Sequence, residues 1–574
     1  MESHENMDKT GGTRLDQLEM NPTGPKKQLK DLDDLFPYIG DFGWYQRLLF
    51  LLMIPYSFFF AFIYFSQIFM TVVPEQHWCQ VPELANLTAE LRRHLAIPQK
   101  DGQYEKCIAY DVDWNNVLTS GDLEPKVTWP TKKCDGWEFN FTDAPYETIA
   151  TQLGWVCERD NYPATAQSIF FCGAIFGGLI FGWVADKYGR VPAILGTNMT
   201  GFVAGVATAF TNSFWSFCLC RFLVGLAYDN CFMVMYIVVV EYVGPKWRTF
   251  VANMSIAVYF TLAACLLPWI ALAAANWKIY TLITSIPLGL SILTPFIVPE
   301  SARWLISQGR IDEALTIIQK CERINKRKIP DAIIKEFRDT AKEIAKAEEE
   351  FKNYSFLDLF KTPRLRRQTI LLVVIWMSIT MVFDGHVRNV GSLGLDMFLT
   401  FTIATATEFP ADILLILTLD VVGRRWLAFG SMVLSGVFSF LATIVPFGIP
   451  SASLAIVGRF AVNISFNIGL QYAAELLPTV VRAQGLALIH ITGYIANILV
   501  PYIVYLATIA VEIPLLILGT VGILGGCLCL ALPESMGKAM PQTIQDGEEY
   551  GKDQKFWDFP CIRRKVHDST QSKI

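Results

Sequence analysis

The chain has 574 residues, 52% of them hydrophobic, 13% aromatic and 18% charged, with a formal net charge of -5 and a mean hydropathy of +0.35. So much apolar residue gathered in blocks excludes an ordinary soluble domain and marks a polytopic membrane protein. The slight acidic excess names no partner, because the charges are confined to a few segments, and no nucleic-acid partner is expected.

Residues 1–45 are polar and carry no secretory signal, so the first apolar run, 46–73, is expected to span the bilayer uncleaved and to leave the N-terminal tail inside. Residues 74–163 are the large polar segment on the opposite side. They hold Cys79, Cys107, Cys134 and Cys157 and the acceptor sequences Asn86-Leu-Thr88 and Asn140-Phe-Thr142. An even set of cysteines beside glycosylation sites implies an oxidising extracellular cap with two disulfides, with three pairings open. Further runs near 164–184, 191–211, 214–239, 250–273 and 278–298 complete a first bundle, with helices 2–6 in residues 164–298. Residues 299–366 are polar and dense in Glu, Lys and Arg at helical spacing, which reads as a cytoplasmic linker of surface helices. Runs near 367–391, 395–418, 426–447, 451–472, 483–507 and 511–531 form a second bundle in residues 367–532. Residues 533–574 make a second cytoplasmic tail, ending in Ser572-Lys-Ile574, a terminus of the kind scaffold proteins bind. The fold class is therefore all-α: twelve membrane helices in two pseudo-symmetric bundles under a disulfide-bonded cap.

The two bundles carry one signature. Asp186-Lys-Tyr-Gly189-Arg190 matches Asp420-Val-Val-Gly423-Arg424, Glu241 matches Glu475, Arg248 matches Arg482, and Pro299-Glu300-Ser301 matches Pro533-Glu534-Ser535, every pair 234 positions apart. This is a duplicated architecture, and the Lys and Arg residues put the signature on the cytoplasmic face. Acids and bases at facing helix ends are expected to form ion pairs that hold the two bundles shut on that side and break as it opens.

Ionisable groups inside apolar runs cost about 2.5–3.5 kcal/mol each on insertion scales and persist where they face a cavity or a partner. Asp229 in the fourth run, Asp384 in the seventh, and Glu408 and Asp412, one turn apart in the eighth, are the acids so placed. Without bases to neutralise them they make a negative cavity, which favours an amine. Arg221 and Arg459 are the bases inside the fourth and tenth runs, and Arg388, four residues after Asp384, reads as an internal partner or as the receiver of a substrate carboxylate. Phe232, Tyr236, Phe383 and Tyr494 can add cation–π contacts, with Tyr56, Phe60 and Tyr64 on the first run. His490, Asn497, Asn467 and Gln471 are lesser candidates. No phosphate loop, His-Glu-x-x-His or spaced Cys/His set is present, so no enzyme activity, cofactor or metal is expected. The duplication also disfavours a membrane receptor. A monomer suffices for such a carrier.

Cys107-Ile-Ala-Tyr-Asp-Val-Asp-Trp114, Cys134-Asp-Gly-Trp137, Gly182-Trp-Val-Ala-Asp186-Lys-Tyr-Gly-Arg190, Arg221-Phe-Leu, Pro299-Glu-Ser-Ala-Arg-Trp-Leu305 and Glu475-Leu-Leu-Pro478-Thr-Val-Val-Arg482 together resemble the organic cation, zwitterion and anion transporters of the major facilitator superfamily. The resemblance covers Phe36 to Pro541, and Leu32-Asp33-Asp34-Leu35-Phe36-Pro37 is similar to an animal branch that includes carcinine and β-alanine carriers. It implies alternating access to a central cavity at the plasma membrane with both termini inside. It also implies the cap pairing Cys79 with Cys134 and Cys107 with Cys157, where many relatives have six cysteines. By the family's pattern Glu408, in Glu408-Phe-Pro410, is the first choice of amine counter-ion, and Phe232, Phe383 and Tyr494 face substrate. Tyr494 stands where cation carriers have an aspartate and anion carriers an arginine, and Asp229 where many cation carriers have Lys. The added acid beside Asp412 suggests a solute with more than one cationic or donor group, such as the imidazole amine carcinine.

Overall fold

The structure, a computed structural model, describes residues 32–100, 102–120, 124–126, 128–351, 355–552 and 554. The Ser572-Lys-Ile574 terminus lies outside them. Twelve apolar helices build two bundles. The first holds α1 (Trp44–Met70), α2 (Tyr162–Lys187), α3 (Arg190–Thr208), α4 (Phe214–Glu241), α5 (Pro245–Ala274) and α6 (Trp277–Ile297). The second holds α7 (Pro363–Arg388), α8 (Met397–Val422), α9 (Arg424–Ile444), α10 (Ile449–Leu476), α11 (Thr479–Thr508) and α12 (Ile513–Cys529).

The segment boundaries differ from those read in the sequence, and the differences have local causes. Helix α7 starts at Pro363, four residues before the apolar run, because proline at the first helical position needs no N–H partner and the next two N–H groups are capped by Glu548. Residues 32–43, expected as tail, fold instead: Leu32, Leu35, Phe36 and Ile39 are buried, and the Asn325 side chain bonds Tyr45 N, Ile39 O and Gln46 of this region. The linker contains helices Ala302–Ser307, Ile311–Asn325 and Asp331–Phe351. Past α12 the chain stays packed, with a helix at Ile544–Glu549.

Two spanning helices are interrupted at the level where they line a cavity between the bundles. In α4 the regular hydrogen-bond ladder is interrupted at Tyr228 and Asp229, between Phe214–Ala227 and Asn230–Glu241, with both residues still in helical backbone angles. In α8 the break falls at Thr407, between Met397–Ala406 and Glu408–Val422. Pro410 explains the second: it has no N–H to offer the carbonyl of Ala406, and the Thr407 hydroxyl donates back to Ala404 O at 2.6 Å. Broken helices are tolerated at this depth where they line a cavity.

The cap has its own small core, including Trp78, Leu84, Leu95, Ile97, Tyr110 and Trp114. Disulfides join Cys79 to Cys134 and Cys107 to Cys157. Its last turn is tied to the bundle: Tyr146 Oη donates to Phe69 O at 2.9 Å, Thr148 Oγ1 to Val72 O at 2.7 Å, and Trp277 N to Glu147 O at 3.1 Å. Asn86 is exposed, and Asn140 is partly buried with its amide nitrogen donating to Gln76 at 3.2 Å.

Helices α2 and α4 approach through glycine. A Cβ on Gly177 would meet the Leu226 carbonyl oxygen at 2.0 Å, and one on Gly173 the Phe222 carbonyl oxygen at 2.1 Å. Neither backbone can yield without parting the helices. A Cβ on neighbouring Gly178 meets nothing within 4 Å. Gly177→Ala is therefore expected to destabilise by about 1–3 kcal/mol through overpacking while Gly178→Ala is neutral, as read from thermal unfolding of the purified variants.

Candidate functional site

A cavity of about 110 Å³ lies between the bundles at the level of the two helix breaks. The N-terminal bundle contributes Phe60 and Tyr64 from α1, Tyr228, Asp229 and Phe232 from α4, and Phe260 from α5. The C-terminal bundle contributes Trp376, Thr380 and Phe383 from α7, Glu408 and Asp412 from α8, Asn463, Phe466 and Asn467 from α10, and His490, Tyr494 and Asn497 from α11. Asp229 and Asn463 are repeat equivalents, 234 positions apart, so each bundle offers the corresponding point of its fourth helix to the same space.

The four acids have different surroundings. Glu408 is ion-paired: its Oε1 lies 2.6 Å from Arg459 Nη2, and Thr261 Oγ1 is 3.4 Å from the other oxygen. Arg459 also donates from Nε to Ala404 O at 3.0 Å, a carbonyl left available by the α8 break, and lies over the Phe383 ring at 5.0 Å. Asp384 does not reach the cavity wall. Its Oδ1 accepts from Tyr64 Oη at 2.6 Å, and its Oδ2 pairs with Arg388 Nε at 2.8 Å. The expectation of acids without basic neighbours is thus corrected for Glu408, while Asp384 has the Arg388 partner that the sequence offered as one alternative, because a bare buried charge in so low a dielectric is costly and arginine from the adjoining turn or helix meets it.

Asp412 and Asp229 are left to the cavity. Asp412 is 1% exposed; its Oδ1 accepts from Asn467 Nδ2 at 2.5 Å, while Oδ2 is buried with no hydrogen-bond partner. Asp229, at the α4 break, faces the same cavity as Tyr494. Neither Arg221 nor Arg459 is spent on it, since Arg221 donates to Gln67 Oε1 at 2.8 Å and stacks on Phe170.

Among the aromatic candidates, Phe232, Phe383 and Tyr494 line the cavity, whereas Tyr236 packs behind Phe232 with ring centroids 6.0 Å apart. Trp376, Phe466, Tyr228 and Phe260 also line it and were not singled out in the sequence. Phe466 stacks on Phe383 at 4.4 Å, and Tyr228 meets Tyr494 edge-on at 5.8 Å across the bundle boundary. In a chain with 40 Phe only Tyr228, next to Asp229, and Trp376, about two turns before Asp384, stood near one of the acids in sequence; Phe260 and Phe466 lie on helices that carry none of the four.

The cap side of the cavity is sealed. The Tyr64–Asp384–Arg388 cluster joins α1 to α7, and the Arg388 guanidinium lies over Tyr64 at 5.6 Å and Phe171 at 5.4 Å. Above it Ser168 Oγ donates to Ile498 O at 2.7 Å and Tyr505 Oη to Asp160 at 2.8 Å, each crossing between bundles.

On the opposite face the repeated signature builds the same device twice, within each bundle. Gly189 and Gly423 turn with φ of +111° and +89°, a region glycine enters freely. The Glu300 carboxylate accepts from Arg190 N at 2.8 Å and Val191 N at 3.1 Å, and the Glu534 carboxylate from Arg424 N at 2.9 Å and Arg425 N at 3.1 Å. Each places an anion on a helix N-terminus. Asp186 pairs with Arg190 at 2.8 Å and Asp420 with Arg424 at 2.9 Å; Ser301 bonds Glu241, and Ser535 bonds Glu475 at 2.6 Å. Arg424 reaches Glu475 at 3.2 Å. These contacts brace α2 to α3 and α8 to α9 and α10, where pairs between the bundles were expected.

Arg248 and Arg482 also depart from expectation. Arg482 caps Leu477 O at 3.2 Å. Arg248 grips Asp33 at 2.5 Å, and Arg303 bonds the same carboxylate. Burial raises the affinity of Asp33 for a proton, but the two guanidinium groups outweigh it and hold the carboxyl below its ordinary range. The contact therefore persists at neutral pH and is lost only as pH falls through that depressed value.

A transporter family model described as "Sugar (and other) transporter" matches residues 136–544. The chain is 33% identical over 549 residues to the "Carcinine transporter" of Drosophila melanogaster, covering 93% of this chain and 81% of that one. It is 32% identical to the "Organic cation transporter protein" of Drosophila melanogaster, with 91% and 95% covered, and 32% identical to human "Solute carrier family 22 member 13", with 89% and 92% covered. The proton:xylose symporter XylE, described as a major facilitator superfamily protein, shares the fold with a TM-score of 0.56 at 16% identity, covering 88% of this chain and 99% of that one. The inward open form of XylE from E. coli gives 0.53 at 14% identity, with 88% and 100% covered. The chain belongs to the sugar (and other) transporter family of the major facilitator superfamily, and is a multi-pass membrane transporter, not an enzyme.

Opening toward the cap must break the Tyr64–Asp384 bond. Tyr64→Phe keeps the ring and removes that bond to a charged group, worth about 1.5 kcal/mol, so the outward-open population should rise roughly tenfold. The check is the rate at which an impermeant thiol reagent added on the cap side modifies Thr380→Cys; an unchanged rate would count against this seal.

Proposed function

We propose that the chain carries small organic cations across the plasma membrane by alternating access, with Asp412 and Asp229 meeting the amine. The observation that supports this is the cavity lining itself. Three carboxylates line it, and among the described lining residues there is no Lys or Arg. Because Glu408 already has Arg459, the charge that remains for a solute is that of Asp412 and Asp229, one on each bundle. A cation held by both draws the bundles together, and aromatic faces around it add about 0.5–2 kcal/mol each. Two relatives named for carcinine and organic cations point the same way.

In this reading Glu408 and Arg459 form a fixed internal pair, and Asp384 with Arg388 works the outer seal. The cap, glycosylated at Asn86 and Asn140, faces outward, and both termini lie in the cytoplasm. The single chain supplies both walls of the cavity, so one molecule is the transport unit. The inside-negative potential then favours cation entry by about 2.3 kcal/mol per charge per 100 mV. A zwitterion such as β-alanine is the competing solute, but its carboxylate would find no basic side chain in the wall, since Arg388 is turned to Asp384.

Uptake of labelled carcinine, with β-alanine, tetraethylammonium and an organic anion as comparators, tests the proposal in cells expressing matched surface amounts of wild type and Asp412→Asn. Wild-type carcinine uptake should rise with inside-negative potential and fall about tenfold or more in the variant, the loss of one charge-assisted contact. Preference for β-alanine or the anion, unmoved by the substitution, would overturn both solute class and site.

A further inference from the structure

We infer that the membrane face opposite the cap carries a second binding site, built to hold the phosphate-bearing headgroup of an anionic phospholipid. A cavity of about 640 Å³ opens where the start of α7, the start of α9, the end of α12 and the segment around Glu548 to Gln554 converge. Four basic side chains line it: Arg364 and Arg367 from α7, Arg425 from α9, and Lys552 after the last helix. Their arrangement is fixed by elements far apart in sequence.

Among the described lining residues one acid, Glu548, is present, and its carboxylate is engaged by backbone. It accepts from Arg364 N at 3.2 and 2.9 Å and from Leu365 N at 3.0 Å, closing the N-terminus of α7. The described lining therefore carries more basic than acidic side chains. Arg367 and Lys552 are exposed, Arg364 is half-buried, and Arg425 is 3% exposed with its guanidinium over the Trp426 ring at 5.1 Å. A base so deeply set gives the site a floor as well as a rim.

The remaining wall decides between a lipid and a soluble phosphate. Leu371, Leu530 and Leu532 line the cavity on the side where α7 and α12 enter the apolar layer. Basic groups beyond helix ends, with leucines on the bilayer side, match a molecule with an anionic head and apolar tails. Basic pockets between spanning helices on the cytoplasmic side take lipid headgroups in this way. The position follows from the proposed orientation, with the cap outside, and does not depend on which solute is carried.

Occupancy would reach the repeated signature directly. Arg425 follows Arg424, and its N–H donates to Glu534; Gln554, also in the cavity wall, bonds Glu534 N at 2.7 Å and Glu534 O at 2.7 Å. A headgroup seated here ties α7, α9 and the end of α12 together, and so stiffens the C-terminal bundle where α8 turns into α9.

The test uses the purified full-length protein in neutral detergent, titrated with short-chain phosphatidylinositol bisphosphate, short-chain phosphatidylcholine, and free inositol phosphate. Binding is read by tryptophan fluorescence and by the thermal midpoint. The bisphosphate lipid should bind and raise the midpoint, phosphatidylcholine should do neither, and inositol phosphate should bind much more weakly. Arg364→Gln with Arg367→Gln should weaken lipid binding roughly 30-fold, at about 1 kcal/mol per basic residue. Lys361→Gln, outside the cavity, is the charge control. Equal lipid binding by wild type and the double variant, or by the double variant and the control, would overturn the site. Equal affinity for free inositol phosphate would overturn the lipid as its occupant. If the double variant has a lowered midpoint without lipid, Lys552→Gln alone repeats the comparison with an exposed side chain.

Discussion

A charge buried among apolar helices has to be met by its opposite, and this constraint organises the centre of the protein. In a low dielectric the desolvation penalty is several kcal/mol per ion, repaid only by close, well-bonded partners. Glu408 with Arg459 and Asp384 with Arg388 satisfy it within the C-terminal bundle. Once those pairs are made, the cavity's character is set by what they leave over: Asp412, with an oxygen facing no donor, and Asp229 on the other bundle. In the proposed reading, a solute amine completes a network that the protein alone leaves incomplete.

The helix breaks and the repeat place those groups. The breaks in α4 at Asp229 and in α8 at Thr407 bring polar side chains to the level of the cavity, and Arg459 bonds the Ala404 carbonyl beside the second break as it reaches Glu408. Below, Glu300 and Glu534 brace their helix junctions alike, so each bundle is a stiff body. Motion is then left to the boundary between bundles, where the described contacts on the cap side are a few hydrogen bonds and aromatic pairs. Single bonds such as Tyr64–Asp384 are weak enough to be exchanged during turnover.

Much of this was legible in the sequence for definite reasons. The 234-residue repeat carried the bundle count, and apolar length carried the helices, because the bilayer fixes how long a spanning run must be. The Asp384–Arg388 pair was legible because its partners share a helix face. The Glu408–Arg459 pair was not: its members are 51 positions apart on α8 and α10, and no local rule sets their distance. The Asp33 clamp on Arg248 spans 215 positions and was hidden for the same reason. The signature's acids and bases were legible as a cluster, and in this cap-sealed state their contacts lie within each bundle, because spacing gives the face of the membrane but not which neighbouring helix is touched.

The most direct measurement is cation uptake by the paired substitution Glu408→Gln with Arg459→Gln beside Glu408→Gln alone. If the pair is internal and neutral, the single variant leaves an uncompensated Arg459 that repels the solute, and removing both restores much of the uptake in protein of equal surface abundance. If Glu408 itself meets the solute, the double variant stays as inactive as the single one, and the account of which charges are free would fail.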